Sequence, residues 1–579
     1  MTKMSWSRCL TAVLILPAAI VFSPDAGRAQ TSSPAALTGE VSSQEEGRME
    51  GVLVSAKKEG STITVTVVSD AQGRYGFPRT KLDAGRYTLK IRAAGYDLKD
   101  PGMVEIPAQQ TTRLDLKLTK TKDLAAQLSN TEWYMSWPGT PEQKMTASNP
   151  HQAPFPHLEC IGCHTVERIA RSHYTASDFV EVMARMRTKR GWAWGQPPRP
   201  PSKQRAGGRM APQGQDKLDE EAYIKDATEF FSSINLSKTS TWEYPLKTLP
   251  RPKGRATRVI ITEYDLPRPD ASPHDAVVAP DGTVWYGDFV EQYLGKLDPK
   301  TGKAVEYRVP EVDPGFNPGF NDIEVDKQGI VWIALFNERG LARFDPNTEK
   351  FQTWTVPSEL DALIRRTVFL APLNHFVDGK VWLGGGHDRT SQIDIASGKW
   401  TIADEAKDMP EDAKSRRHGN YGLASDSKNN VYEMEIESEY ITKVDAKTMK
   451  ATYYRTPTID SAPRRGHIDS QDRLWFAEHI ANKIGLFDTK TEKFQEWTVP
   501  TSMSTPYDAV GDKNGDVWAG GESSDRIVRL NPRTGEMTEY LMPRATNVRR
   551  VDVDNSTTPV TFWVGNNDAA SIIKVEPLD

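Results

Sequence analysis

The sequence predicts a mainly β, multidomain protein: a small β-domain, a small all-α segment and a seven-bladed β-propeller, in that order. Three observations predict it. Residues 38–118 alternate polar and apolar with period two. Amphipathic helical stretches flank a Cys-x-x-Cys-His run in the middle of the chain. Behind them, aromatic residues recur at intervals of 43 to 50 residues. The length of 579 residues calls for several domains. Hydrophobic residues make up 37% and charged residues 26%, so there is ample apolar material for a core and wholesale disorder is excluded. A formal net charge of −5 argues against a protein that coats nucleic acid.

Residues 1–29 read as a secretory signal peptide. Lys3 and Arg8 give a positive start, Leu10 to Phe22 is apolar except for Thr11, and Gly27 and Ala29 are small residues at the −3 and −1 cleavage positions. The apolar run is short for a membrane span, which needs ~20 residues. No later stretch is long and apolar enough to cross. The expectation is a soluble, exported, periplasmic protein with no membrane span after cleavage.

Residues 38–118 form the β-domain. Val52-Leu53-Val54, Thr62 to Val67 and Tyr87 to Ile91 are its clearest strands. Asp70-Ala71-Gln72-Gly73, Asp83-Ala84-Gly85 and Ala94-Gly95-Tyr96 are its turns. Glu50 to Val54, Ser69 to Phe77 and Ala84 to Leu89 together resemble the carboxypeptidase regulatory-like domain. The resemblance implies an immunoglobulin-like β-sandwich used as a scaffold or docking module, without peptidase activity.

Residues 123–240 form the α segment. Cys9 lies in the leader, which leaves Cys160 and Cys163 in Cys160-Ile161-Gly162-Cys163-His164. An exported pair of cysteines is commonly a disulfide. A C-x-x-C redox pair or half a zinc site are further readings, but no second Cys pair exists to complete a zinc site. The directly following His makes this the signature of covalent haem attachment. Two thiols add to the two vinyl groups of the porphyrin, and His164 is placed under the iron. The segment thus resembles a c-type cytochrome domain with one haem c. Thr175-Ala176-Ser177-Asp178 opens one capped helix, and Glu220 to Ile234 forms another. Met210, in the loop before that last helix, is the expected sixth ligand of the haem iron. Met183 and Met186 compete, but both read as core positions.

Residues 256–579 repeat. Trp285, Trp332, Trp382, Tyr432, Trp475, Trp518 and Trp563 each follow a turn and begin a short strand. Pro280-Asp281-Gly282-Thr283-Val284-Trp285 and Lys513-Asn514-Gly515-Asp516-Val517-Trp518 show the turn. Asp298-Pro299-Lys300-Thr301-Gly302 shows the third strand's end. A period of 40–50 residues with four short strands per unit is a propeller pattern. The first unit begins with a fourth-type strand and the last unit ends without one. Residues 258–265 should therefore complete the last blade and close the ring.

Register then gives a map of one mouth. Counting back eleven from the aromatic markers gives His274, Asn321, Tyr421, Arg464 and Tyr507; the third blade does not align cleanly, and an insertion in the last leaves Arg549 or Arg550 as its candidate. Counting forward three gives Asp288, Leu335, Gly385, Glu435, Glu478, Gly521 and Asn566. One further on stand His479 and Glu522, and His387, His418 and His467 are close in sequence. The candidate catalytic set is Glu478, His479, His274, Arg464 and Glu522. Glu478 and Glu435 are candidate ligands for Mg2+ or another divalent ion, because carboxylate oxygens suit hard cations. Polar residues line any wet propeller channel, so a purely solvating role is the alternative.

Ile261 to Pro267, Asp281 to Trp285 and Trp475-Phe476-Ala477-Glu478-His479-Ile480-Ala481-Asn482-Lys483-Ile484-Gly485 resemble the virginiamycin B lyase family. The resemblance implies a seven-bladed propeller and elimination on a cyclic lactone, using His and Glu near Mg2+. Three functions follow. The first is a haem-linked oxidoreductase whose propeller binds or oxidises a small molecule and whose haem exchanges electrons with a periplasmic donor or acceptor. The second is a Mg2+-dependent carbon–oxygen lyase. The third is a haem sensor or binding protein.

Overall fold

The structure is a computed structural model, and it describes residues 34–139, 161, 164–190, 215–313, 319–320, 322–336, 338–360, 369–370, 378–384, 389–414 and 418–579. The leader, Cys160, Cys163, Met210, Asn321, Gly385 and His387 lie outside the described residues.

The N-terminal region is an immunoglobulin-like pair of sheets. Strand Ala35–Ser43 is the spine of one sheet, parallel to Leu116–Lys120 and antiparallel to Arg74–Pro78. Leu53–Lys58, Ile63–Val68, Gly85–Arg92 and Val104–Ile106 make the other. Period two is visible in burial: Tyr75 and Phe77 point inward, while Arg74 and Gly76 point out. Val54, Val65, Phe77, Leu116 and Leu118 form the shared core.

Six four-stranded antiparallel sheets follow. Their first strands are Pro273–Val278, Asp322–Val325, Phe369–Leu370, Asn420–Ser425, Pro463–Ile468 and Pro506–Gly511. A seventh set of four consists of Val548–Asp554, Thr561–Asn566, Ser571–Pro577 and, from the other end of the repeats, Val259–Asp265. Val259–Asp265 runs antiparallel to Ser571–Pro577 over seven residue pairs, as the repeat pattern required. The first strands of successive sheets lie side by side, and Val548–Asp554 lies beside Pro273–Val278. The sheets are therefore propeller-like, with their first strands at the centre.

The aromatic markers explain why the repeat folds. Each is the second or third residue of its sheet's second strand, and each is buried between sheets. In three of the sheets an aspartate six residues earlier satisfies the indole N–H: Trp475 donates to Asp469 at 3.0 Å, Trp518 to Asp512 at 2.9 Å and Trp332 to Asp326 at 2.9 Å. The same aspartates accept turn N–H groups. One carboxylate thus shapes the turn and lets a large apolar ring be buried with its polar atom satisfied.

The sequence did not signal that the first and last domains share a sheet. Ile63–Val68 pairs antiparallel with the free edge of Val259–Asp265, from Ile260↔Val67 to Tyr264↔Ile63. The seventh set and half of the N-terminal region therefore form one eight-stranded sheet. Lys81 reinforces the junction with Glu576 at 2.7 Å, and Thr62 Oγ1 donates to the Gly302 carbonyl at 2.9 Å. An edge that would otherwise invite pairing with another chain is covered.

Helices Asn130–Ser136, Glu167–Ala170, Ala176–Arg190 and Gln215–Ile234 make a third layer. Thr175 and Asp178 cap the third helix reciprocally, as expected. The last helix starts five residues earlier than the sequence suggested. Trp133, Trp137, Ile161, Phe179, Phe231 and Ile234 form its core. This layer stands on the face where the sheets' first strands begin. Thr131 N–H donates to the Ser523 carbonyl at 2.9 Å, and Asn547 Nδ2 donates to the Ile161 carbonyl at 2.6 Å. No described helix is long and apolar enough to cross a membrane.

Candidate functional site

The site is built by β-bulges. In the sheets that begin at Pro273 and Asn420, the ladder skips one residue, His274 and Tyr421. In the sheets that begin at Pro463, Pro506 and Val548, two residues stand against one of the partner strand. Those pairs are Arg464-Arg465, Tyr507-Asp508 and Arg549-Arg550, and the residues opposite them are Ala477, Gly520 and Gly565. A bulge turns extra side chains out of the ladder, here toward the centre. Close packing is enforced at Gly422, where a Cβ would meet the Arg464 carbonyl oxygen at 2.5 Å.

Arg464 is the hub. Its Nη1 donates to Glu522 Oε2 at 2.6 Å and lies 3.2 Å from the His479 ring nitrogens. Its guanidinium sits 3.8 Å from the Tyr507 ring centroid and 4.9 Å from that of Tyr421. His479 Nδ1 lies 3.0 Å from the Pro506 carbonyl, which holds the ring proton there and leaves Nε2 toward Arg464. Burial, reinforced by Arg464, holds the His479 imidazolium well below its usual pKa, so His479 is neutral. Burial does the same to His274, with Arg549 and Arg465 adding to it. Arg549 Nε donates to Asn547 Oδ1 at 3.1 Å, which joins this cluster to Ile161 in the helical layer.

A second ring of charge was missed by counting one position per blade. Arg465 pairs with Asp322 at 2.5 Å, and Arg550 pairs with Glu324 and lies 3.5 Å from both Asp275 and Asp322. Asp508 pairs with His467 at 3.1 Å. The signal was present in the dipeptides His274-Asp275, Arg464-Arg465, Tyr507-Asp508 and Arg549-Arg550, but only a bulge lets neighbours share one side.

Of the sequence-derived candidates, His274, Arg464, His479 and Glu522 converge. Glu478 does not join them, because alternation along its strand sends it away from His479. Both of its carboxylate oxygens are buried, with no hydrogen-bond partner at normal geometry among the described residues. Burial, together with nearby Glu496, pushes its pKa up to about 9 against the opposing pull of Lys483. Glu435 is engaged elsewhere, by His418, Thr442 and, at 3.1 Å, Ser438. Among the described residues no three His, Cys, Asp or Glu side chains gather to hold a metal ion. Glu478 and Glu435 thus do not fit a shared divalent site.

Glu478 gives a pH signature. Folded protein keeps a proton that the unfolded chain releases near 4.5, so stability falls as pH rises from about 4.5 to about 9. The slope from this one group approaches ~1.4 kcal/mol per pH unit. Glu478→Gln should flatten the melting temperature against pH between 5 and 9. Superimposable wild-type and variant profiles would show that Glu478 is ionised in the fold.

Residues 410–577 match the virginiamycin B lyase family. Residues 36–119 match the carboxypeptidase regulatory-like domain. The lyase-family match takes in Tyr421, Arg464, His479, Tyr507, Glu522 and Arg549, and leaves out His274. Among solved structures, a streptogramin B lyase is 20% identical, with a TM-score of 0.46, over 56% of this chain and 100% of its own. Selenomethionine-substituted virginiamycin B lyase from Staphylococcus aureus is 20% identical, with a TM-score of 0.46, over 55% of this chain and 99% of its own. No curated protein matches the chain.

The haem candidates divide. His164 is described and partly buried, and its Nδ1 lies 2.9 Å from the Thr165 carbonyl. That contact places the proton on Nδ1 and leaves the Nε2 lone pair to act as a ligand, which fits a proximal histidine.

Proposed function

We propose that the seven propeller-like sheets form one seven-bladed ring and that its mouth carries out lyase-type elimination on a small cyclic lactone. The observation that carries this reading is the convergence of two neutral histidines, His274 and His479, with the Arg464 guanidinium at the strand ends. The family match over residues 410–577 favours this reading over the oxidoreductase. Elimination removes a proton from carbon next to a carbonyl while a β C–O bond breaks. A neutral imidazole can take such a proton, and a buried guanidinium stabilises the enolate oxygen that develops. In this reading His274 is the imidazole on the path of the proton, and His479 and Glu522 position the Arg464 guanidinium.

A second reading keeps the haem. It is supported by the hydrogen bond from Asn547 to the carbonyl of Ile161, since Asn547 also accepts from Arg549. Cys160 and Cys163 would attach haem c, His164 would ligate its iron, and Met210 would be the sixth ligand. The haem would supply one-electron chemistry with a periplasmic partner. The leader-like residues 1–29 support a periplasmic location for either reading.

One experiment separates the two. The protein secreted from an expression host is incubated with a streptogramin B-type cyclic lactone, and products are weighed by mass spectrometry. Elimination gives a linear product of unchanged mass, lost in His479→Asn. A product two hydrogens lighter, with a growing reduced c-type absorption band, would overturn the lyase reading in favour of the haem oxidoreductase. No product at all would overturn elimination on this substrate class.

A further inference from the structure

Asp275, His274, Tyr507 and Tyr421 come from three sheets, yet their polar atoms form one line. His274 Nδ1 bonds the Asp275 carboxylate. His274 Nε2 lies 3.1 Å from the Tyr507 hydroxyl, and that hydroxyl lies 2.7 Å from the Tyr421 hydroxyl. Asp275, His274 and Tyr507 are buried, while Tyr421 is partly exposed. The line thus has a closed end and an open end. We propose that Tyr421 is the acid–base group of this mouth and that Tyr507 and His274 connect it to Asp275 as a proton relay. This rests on the elimination reading and adds to it a group and a route.

The hydrogen-bond polarity sets the direction. His274 donates Nδ1–H to Asp275, so its Nε2 accepts from the Tyr507 hydroxyl. The Tyr507 oxygen then accepts from the Tyr421 hydroxyl. If each proton moves one place along the line, Tyr421 becomes a phenolate and Asp275 a carboxylic acid, while Tyr507 and His274 stay neutral. One negative charge has moved from the buried end to the open end, and no net charge has been created.

The surroundings favour both ends of that shift. Burial raises the Asp275 carboxyl to about 6 against the pull of Arg550 and Arg465, so it is a willing proton acceptor. At Tyr421 burial opposes the phenolate, but Arg464, Arg465, the Tyr507 hydrogen bond and Arg549 outweigh it and bring the phenol below its ordinary range. The Arg464 and Arg465 guanidinium groups lie 4.9 and 5.3 Å from the Tyr421 ring centroid. His274 also faces Asp322, Arg549 and Arg550, and cations prevail there, which keeps the relay imidazole neutral.

Elimination then balances. The phenolate takes the proton from carbon, the C–H pair becomes the new double bond, and the C–O pair leaves with oxygen. The leaving oxygen takes the Tyr421 proton, and the line refills Tyr421 from Asp275. The resting state returns with one proton moved from carbon to oxygen.

The test needs no substrate. Tyrosine labelled with 13C at Cζ is incorporated into the full chain, and the phenol signals are followed by NMR against pH, with Tyr421→Phe identifying the signal. Tyr421 is expected to titrate below the exposed tyrosines, whose midpoint is ~10. Tyr507→Phe should move that midpoint upward, and His274→Gln provides the same break should Tyr507→Phe fail to fold. A Tyr421 signal that titrates with or above the exposed tyrosines overturns the relay, as does a midpoint unmoved by both breaks. A low midpoint without lactone turnover would sink only the elimination reading. Turnover with an ordinary midpoint would sink only the relay.

Discussion

Arg464→Met should lower stability by ~3–5 kcal/mol, the cost typical of stranding one partner of a buried ion pair. Glu522 is almost fully buried, and its 2.6 Å bond to Arg464 is its closest charged contact. The next cation, Arg549, is 3.9 Å away. Methionine fills most of the volume, so the loss is electrostatic rather than a cavity. The double variant Arg464→Met, Glu522→Gln should recover much of the loss, because no uncompensated charge then remains. Urea melts of wild type, both single variants and the double variant give the coupling energy. A single variant as stable as wild type, or a double variant no better than Arg464→Met, would show that this pair does not hold the mouth together.

Val65→Pro should have the second large effect. Val65 sits in the middle of Ile63–Val68, between Ala56 on one side and Thr262 on the other. Proline removes a ladder N–H from a strand with partners on both edges and leaves a buried acceptor unpaired, worth ~1–3 kcal/mol. It also replaces a buried valine whose burial contributes ~1.5–3 kcal/mol. The loss falls on the seam between the N-terminal sheets and the seventh propeller-like set. Calorimetry of the wild type should therefore show these regions melting together, and the variant should split off an earlier transition. An unsplit transition at the wild-type temperature would mean the seam carries no cooperativity.

Much of the fold was legible because its signals are local. An Asp-Gly-type turn just before an aromatic-led strand is readable within one repeat, and so is the cap of the helix that opens at Thr175 to Asp178. The complementary ends of the repeats were enough to predict that residues 258–265 pair with the last strand. The site was legible only in part. Counting along the strands brought His274, Tyr421, Arg464 and Tyr507 to one centre, because strand register is a fixed count. The same counting put Glu478 beside His479, whereas the alternation of side chains separates them. It also passed over Arg465 and Asp275 and left Arg549 and Arg550 as alternatives, because a bulge breaks the one-residue-per-blade rule and is written in the small residues of the opposite strand, Ala477, Gly520 and Gly565.

The sequence by itself determined the kinds and order of the elements: alternating strands, a helical segment around Cys-x-x-Cys-His, and aromatic repeats that must bury their rings between sheets. Those follow from periodicity and from turns, which act over a few residues. Only the tertiary structure decided that Ile63–Val68 extends the seventh set into one eight-stranded sheet. It alone set the helical layer on the face where the first strands begin, and drew the hydroxyls of Tyr421 and Tyr507 together with His274 and Asp275. Each of these joins groups tens to hundreds of residues apart, and which partners meet is settled by backbone pairing, shape and buried charge across the whole molecule rather than by any local pattern.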